Sequence, residues 1–279
     1  LSNLGSNNYV TIDTYTKDAW TADCSFYNCN ALKYLDLSNL KIKERACGLF
    51  RGLSNLETLK MNNTTWRDIN NNGYFGYMMP PNATTIELNG LVLEDSNIRV
   101  DSMFAPCTRL TSVDISTINF SNIKTVWRMF YNCKGLNSIN LSNHTNLSGI
   151  EDFSEMFSGC TNLITVDITG TALPNAKTFV SMFRECTNLQ EIIGLETVSA
   201  PKMESINFMF FNCKSLTRID LSGICPEDYV LVSDYNASDY HYNCHFLNCS
   251  SVEYLDLSNF KIKGCIGNVF TVLGNLKTA

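Results

Sequence analysis

A repeat of 24 to 29 residues runs through nearly the whole chain and limits its fold more than any other feature. Ten phenylalanines recur at this spacing, with one longer interval of 36 residues. A cysteine follows most of them three residues later, and Leu53, Met78 and Leu273 take that place in the other units. Such a period is typical of solenoids, in which each unit buries its apolar side against the next. The phenylalanines are Phe26, Phe50, Phe75, Phe104, Phe130, Phe157, Phe183, Phe210, Phe246 and Phe270, and the cysteines are Cys29, Cys107, Cys133, Cys160, Cys186, Cys213 and Cys249.

Each unit joins two apolar patterns that predict different local structures. Residues 34–38 alternate apolar and polar side chains, which is typical of a short strand with one buried face. Spacings of three and four, which bring side chains to one face of a helical turn, separate Val126, Met129, Phe130 and Cys133. We therefore predict a solenoid of α/β-type repeats with about ten stacked units. A continuous parallel sheet would form one face, and short helices or 3₁₀ turns would form the back wall.

The wording of the unit resembles a known family. Residues 129–143 read Met-Phe-Tyr-Asn-Cys-Lys-Gly-Leu-Asn-Ser-Ile-Asn-Leu-Ser-Asn, which is similar to the repeat of the BspA-type leucine-rich repeat surface proteins, in particular their Mycoplasma-type subgroup. Residues 118–126 are similar to that group's link between strand and back wall. The resemblance covers about residues 24–279 and implies a leucine-rich repeat solenoid on a cell surface, with adhesion as the role of some members. It implies no catalytic motif.

The repeat also predicts the organisation of the chain. Residues 1–23 would be a lead-in or an atypical first unit, and residues 24–279 a single solenoid with an insertion at about 225–243. In the seventh unit, the sequence at 192–195 (Ile-Ile-Gly-Leu) predicts a strand that is shifted by one residue or carries a bulge. Residues 24–59 match residues 244–279 without a gap. This indicates either a window on a longer array of super-repeats or a local duplication.

Composition argues against several classes of function. The net charge is −6 and the basic residues are scattered, whereas a nucleic-acid-binding protein needs a basic stripe. The sequence has no apolar run long enough to span a membrane, and no set of nucleophile, base and orienting residue. We therefore expect no nucleic acid, no membrane span in this segment, no cofactor and no enzymatic activity.

One cluster has the spacing of a zinc site. His241, Cys244, His245 and Cys249 lie close together, with Cys225 upstream. Packing explains the cluster at least as well, because Cys249 belongs to the repeated cysteines and Cys244 has a counterpart at position 24. We therefore predict no metal there.

The cysteines divide into two groups. Those in the repeat are predicted to be reduced and packed, because leucine and methionine, which replace them in three units, cannot form a bridge. The duplicated positions of the others predict disulfides in an oxidising compartment. The pairs would be Cys24–Cys47 and Cys244–Cys265. A Cys225–Cys244 bridge and simple packing at the corners of the units remain alternatives.

Two surfaces are candidate binding sites. An acidic column, flanked by serine and threonine, follows the exposed face of the predicted sheet and includes Asp114, Asp167 and Asp220. It is suited to a basic segment, a glycan or a divalent cation, although a merely solvated sheet face would look the same. The insertion is rich in tyrosine, which is favoured at interfaces, and a loop at 66–74 adds an aromatic residue. The candidate residues in these two segments are Tyr229, Asp234, Tyr235, Asp239, Tyr240, Tyr242 and Trp66.

These features predict an extracellular or cell-surface protein that binds a protein or glycan ligand, at the insertion or on the exposed sheet face, in an adhesin-like role. The alternative is structural: a segment of a fibre, stalk or envelope scaffold in which tandem units self-associate. A third class, an intracellular scaffold with reduced cysteines, is favoured if the chain forms no disulfides.

Overall fold

The computed structural model describes residues 26, 29–43, 49–50, 52–67, 75–94, 98–105, 107–231, 246–263 and 273–279. Within them the chain forms short strands and two 3₁₀ helices, at Thr145–Gly149 and Leu195–Thr197. The strands are β1 (Tyr34–Asp36), β2 (Lys41–Lys43), β3 (Thr58–Lys60), β4 (Thr65–Arg67), β5 (Thr85–Glu87), β6 (Val92–Glu94), β7 (Ser138–Asn140), β8 (Thr165–Asp167), β9 (Glu191–Ile193), β10 (Arg218–Asp220), β11 (Val230–Leu231), β12 (Tyr254–Asp256) and β13 (Ile262–Lys263).

The strands of the front face form three separate sheets, in the orders β1-β3-β5, β7-β8-β9 and β10-β12. All pairs are parallel and join equivalent positions of neighbouring units, which confirms the predicted class of fold. The sheet is not continuous, however, because β5 does not pair with β7 and β9 does not pair with β10. The predicted continuous sheet through about ten units is therefore wrong: the described residues give eight front strands in three sheets.

A lateral face, which the sequence analysis missed, carries the sheets β2-β4-β6 and β11-β13. The middle residue of β2 and of β4 points into the core, as Ile42 and Trp66 do. The Trp66 ring is fully buried and meets the Phe50 ring edge-on at 6.1 Å. The expectation of an exposed Trp66 loop is therefore wrong, because Thr65-Trp66-Arg67 alternates as a lateral strand with its central side chain inward.

The back wall, predicted as short helices or 3₁₀ turns, is built from consecutive tight turns that are closed by hydrogen bonds between residues three apart. The Met129 N–H donates to the Val126 carbonyl at 3.0 Å, and the Cys133 N–H donates to the Phe130 carbonyl at 3.1 Å. Arg128 supplies the left-handed residue of the first turn, with a φ of 56°. Two such turns bring side chains back to the core at spacings of three and four. A helix produces the same spacings, so the sequence pattern fits both structures.

The turns repeat in register along the solenoid. Left-handed φ values recur at equivalent positions of successive units, mostly in residues other than glycine, each at a cost of about 1–2 kcal/mol. The neighbouring coil holds these turns in place, since the Glu155 N–H donates to the Val180 carbonyl at 2.8 Å and the Ser181 N–H to the Asn207 carbonyl at 2.7 Å. The positions are Ser102, Arg128, Glu155, Ser181 and Phe208 in one column, and Asn132, Gly159, Glu185, Asn212 and Asn248 in the other.

A stack of phenylalanine rings fills the core behind the back wall. Successive centroids between Phe104 and Phe246 lie 4.8 to 6.2 Å apart, and the planes of the rings deviate by 14° or less. Such offset stacking adds to the energy of burial. The stack continues through Phe183 and Phe210, which lie in the two units between which the front sheet is interrupted.

Cysteines run alongside the phenylalanine stack and use their thiols as hydrogen-bond donors. The Cys160 thiol donates to the Phe130 carbonyl of the preceding unit at 3.0 Å, and the Cys186 thiol donates to the Phe157 carbonyl at 3.1 Å. Burial raises the pKa of the Cys249 thiol to about 12. Cys29 is exposed, so its predicted place among the buried cysteines is wrong. The buried free cysteines are Cys107, Cys133, Cys160, Cys186, Cys213 and Cys249.

Candidate binding face

The column predicted on the front face is in register wherever its strands pair. Asp36 lies opposite Lys60, which lies opposite Glu87. In the other two sheets Asn140 lies opposite Asp167, and Asp220 lies opposite Asp256. The strands therefore do hold these side chains at equivalent positions, one unit apart.

Most acids of the column also accept a hydrogen bond from the backbone N–H two residues later. One side-chain oxygen of Asp114 accepts the N–H of Ser116 at 2.8 Å, and one of Asp167 accepts the N–H of Thr169 at 2.9 Å. These short rings turn the chain as it leaves the front face. Asn140 makes the same bond to the Ser142 N–H at 2.8 Å, which explains why asparagine can replace aspartate there.

The charge of the column is only partly free. Asp220 is buried at 6% exposure, where its carboxylate binds Arg218 at 2.6 Å and accepts the Ser222 hydroxyl, so its expected place as an exposed ligand is wrong. Lys60 and Glu87 pair at 2.8 Å, and their hydrogen bond raises the pKa of Lys60 and lowers the pKa of Glu87.

Four acids of the column, Asp36, Asp114, Asp167 and Asp256, join no ion pair within the described residues, and Asp114 and Asp167 lie nearest its middle. Asp114 is exposed, although it lies outside any strand, and Asp167 is half-buried. In the described part of the chain neither of them joins an ion pair with a basic side chain. Hydrogen bonds from the Ser116 hydroxyl and N–H lower the pKa of Asp114, so its carboxylate stays ionised over a wide range of pH. The middle of the front face therefore carries negative charge that no ion pair of the described residues takes up.

Of the candidate residues in the insertion, the structure describes Tyr229, whose side chain is 54% exposed. It stands just before β11, which pairs with β13 through Val230 and Ile262. The Lys261 ammonium also donates to the Glu227 carbonyl at 3.0 Å, so the start of the insertion is anchored to the next unit. The other candidates lie outside the described residues, namely Asp234, Tyr235, Asp239, Tyr240 and Tyr242, as do Cys24, Cys47, Cys244 and Cys265.

No group of three potential metal ligands occurs among the residues that the structure describes. His241, Cys244 and His245 lie outside them, and Cys225 is an exposed free thiol. His144 is buried, with its Nε2 at 3.3 Å from the Ile115 carbonyl, so it has a partner within the core. Nor does the described part contain a helix that is long and apolar enough to cross a bilayer.

Sequence reasoning missed a cleft of about 710 Å³ at the break between β9 and β10. The register of β9 is regular, with Glu191 opposite Thr165 and Ile193 opposite Asp167, so the predicted one-residue shift is wrong. The departure comes one residue later, where Gly194 takes a φ of 84° and a 3₁₀ helix begins. The signal in the sequence was Ile193-Gly194, which replaces the usual polar end of the front strand.

The architecture defines the class of the protein: a leucine-rich repeat solenoid, with parallel strands on one face and turns on the other. Two family models match the sequence. Residues 5–86 match the model described as BspA type Leucine rich repeat region (6 copies), and residues 97–223 match the model described as Mycoplasma protein of unknown function, DUF285. The two matches confirm the resemblance to the BspA-type leucine-rich repeat proteins that was noted from the repeat unit.

Several solved structures are similar to this chain at low identity. A leucine-rich repeat protein from Bacteroides ovatus has 16% identity and a TM-score of 0.46, over 88% of this chain and 65% of that one. An internalin from Listeria monocytogenes has 16% identity and a TM-score of 0.33, over 94% and 71%. The chain thus spans about two thirds of the Bacteroides protein. Comparison with curated proteins gives no match.

Proposed function

We propose that the front face binds a protein partner at the cell surface or outside the cell, without catalysis. The observation that carries this proposal is the charge in the middle of the face, where the Asp114 and Asp167 carboxylates join no ion pair with a basic side chain of the described residues. Strand β8 holds Asp167, and the hydrogen bond from the Ser116 N–H at 2.8 Å holds the Asp114 carboxylate outside any strand. Such preorganised charge favours fast and selective association with a basic surface.

The rim of the face supports the same proposal. Hydroxyl groups flank the acids, since Ser112 and Ser138 are both exposed. On the lateral face, Tyr229 offers an exposed aromatic ring next to β11. Tyrosine contributes contact area at a low entropic cost. The partner that fits is a protein segment rich in lysine or arginine, with a glycan as the second candidate because hydroxyls and carboxylates also bind sugars.

The test compares two variants with equal change of charge. Asp114→Lys together with Asp167→Lys reverses the front face, whereas Glu204→Lys together with Glu227→Lys reverses two exposed acids outside the column. A peptide-display library and a glycan array are each screened against the wild-type chain. We expect selected basic peptides to lose binding to the front-face variant by about tenfold or more and to keep binding to the control variant.

Two outcomes of this screen contradict the proposal. If ligands from either screen bind both variants equally, the front face is not the binding surface. If neither screen yields a ligand, a binding role is overturned. If no such peptides are found, but sugars bind the wild-type chain and not the Asp114 and Asp167 variant, the partner is a glycan and not a protein.

A scaffold role is the second candidate, and the duplicated segments favour it. Tyr34 lies opposite Thr58 in the first copy, and Tyr254 lies opposite Thr278 in the second, at an offset of 220 residues. Copies that stack in the same way suit a solenoid assembled from tandem super-repeats. Sedimentation velocity over a range of concentrations tests this role. Assembly that Tyr229→Ser abolishes, while peptide binding persists, supports the scaffold, and a monomer at every concentration contradicts it.

A further inference from the structure

The break between β9 and β10 leaves two strand edges open. In the paired part of the front face, the residue after each strand donates its N–H to the next unit. Leu141 does so to the Asp167 carbonyl at 2.7 Å, and Ile168 to the Ile193 carbonyl at 2.9 Å. The equivalent N–H at Gly194 makes no such bond to the Asp220 carbonyl, and β9 and β10 do not pair. An open edge of this kind is a template for a further strand.

The two units separate only at the front. On the back wall the Phe183 N–H donates to the Met209 carbonyl at 2.9 Å, and the rings of Phe183 and Phe210 stack at 6.0 Å. At the front, the 3₁₀ helix that follows Gly194 takes up the contact instead. The backbone there comes so close to the next unit that a Cβ on Gly223 would collide with the Glu196 carbonyl oxygen. The cleft is therefore a wedge that opens toward solvent and is closed behind.

The chemistry of the cleft differs from the rest of the front face. Ile193 stands where neighbouring strands have a polar residue, and its side chain is 40% exposed. Glu191 and Glu196 are exposed, and within the described residues neither of them joins an ion pair. The cation that lines the cleft, Arg218, is already engaged: it binds Asp220 at 2.6 Å and lies 3.7 Å from the centroid of the Tyr254 ring. The cleft thus combines an apolar contact with an excess of negative charge.

We propose that this cleft binds an extended peptide segment of a partner protein, which adds as a strand along the open edge of β9. The segment has an apolar residue that packs on Ile193, flanked by lysine or arginine residues that face Glu191 and Glu196. Main-chain hydrogen bonds supply affinity in this mode of recognition, and the side chains supply specificity. The proposal rests on the proposed function, since it places a protein partner on the front face and names the chemistry of one subsite.

The experiment uses the whole chain and a short capped peptide of alternating valine and lysine, carrying a fluorescent label. Two matched peptides are the controls. One has every second backbone nitrogen methylated, so that its side chains are unchanged but one edge cannot donate hydrogen bonds. The other has glutamate in place of lysine. We expect saturable binding of the first peptide by fluorescence anisotropy, and about tenfold weaker binding of both controls. Bound peptide should also slow hydrogen exchange of the amides at 190–195.

Variants of the protein then locate the site. Glu196→Lys and Ile193→Ser should each lower the affinity for the valine–lysine peptide, by up to about tenfold. Glu204→Lys makes the same change of charge outside the cleft and should leave this affinity unchanged. If the methylated peptide binds as tightly as the unmethylated one, strand addition is overturned. If Glu196→Lys and Glu204→Lys lower the affinity for the peptide equally, the cleft is not its binding site. If the Asp114 and Asp167 variant still loses its library-selected peptides, the proposed function stands while this inference fails.

Discussion

The back wall and the front face of this solenoid differ in continuity. On the back wall, stacked phenylalanine rings run without a break from Phe104 to Phe246. On the front face, strand pairing is lost twice, between β5 and β7 and between β9 and β10. At the second break, ring stacking and backbone hydrogen bonds of the back wall hold the units together. At the first break, the Cys107 thiol donates to the Pro80 carbonyl at 3.3 Å, and the Phe75 N–H donates to the Arg99 carbonyl at 2.7 Å. The back wall therefore carries the solenoid where the sheet does not. Backbone pairing on the front face is then free to vary with function.

The physical reason for the difference lies in burial. A ring such as Phe157 is fully buried between neighbours at 5.5 and 5.6 Å, so any change there leaves a cavity. A front residue such as Ile193 is 40% exposed, and a change there alters mainly what the surface offers to solvent. The back wall is thus constrained by packing in every unit, whereas the front face is constrained only on its inward side.

The largest expected effect comes from breaking the back wall. Phe157→Ala should lower the free energy of unfolding by about 4 kcal/mol, because it removes a buried ring and its stacking on both sides. Urea unfolding followed by circular dichroism measures the loss. Since units of a solenoid interact with their nearest neighbours, the variant should also unfold in two steps. A loss below about 1 kcal/mol would show that the stack does not carry the continuity of the solenoid.

A smaller effect is expected at the second break of the front face. Gly194→Ala should lower the free energy of unfolding by about 2 kcal/mol, because a side chain strains the left-handed backbone there. The added Cβ would also lie 2.6 Å from the Cα of Thr169. Gly274→Ala is the matched control, since a Cβ on Gly274 meets no atom within 4 Å. Thermal unfolding of both variants checks the prediction, and equal midpoints would mean that Gly194 does not pin the break.

The smallest effect concerns the charge of the front face. Ser116→Ala removes a hydroxyl that helps to lower the pKa of Asp114 below its ordinary value of 3.8. The pKa should rise in the variant, although the N–H of residue 116 continues to donate and so to lower it. A carboxyl whose pKa is lowered by folding stabilises the fold above its unfolded pKa, and this contribution disappears as the pH falls through the folded pKa. Titration of the Asp114 carboxyl by NMR measures the change, and an unchanged pKa would exclude the hydroxyl as its cause.

Sequence-based prediction succeeded where a residue type has the same structural role in every unit. The phenylalanine period identified the solenoid, and the replacement of cysteine by Leu53 and Met78 indicated a packed position. It failed where one pattern fits two structures. Spacings of three and four around Phe130 left short helices and 3₁₀ turns open, because two successive turns produce these spacings equally well. Likewise Trp66 follows polar residues as a loop residue would, while the same three residues form a lateral strand.

The candidate site was predicted in part for the same reason. Asp167 lies on the front face because alternation along β8 fixes which side each residue faces. Asp114 is exposed as well, although it lies outside any strand. The pairing of Asp220 with Arg218 depends on a side-chain contact that spacing does not encode. The cleft beside Ile193 exists because the front strands of two units do not pair. No single residue of either unit predicts this loss of pairing.

The sequence by itself determined the class of fold, the direction of the strands and the core positions, because a repeat of apolar residues has few ways to bury itself. Only the tertiary structure decided where the front sheet stops, which acids keep their charge, and that the cysteine thiols donate to carbonyls of the preceding unit. These features arise between units and not within them. They depend on distances of a few ångströms between residues about one repeat apart, which a pattern along the chain does not specify.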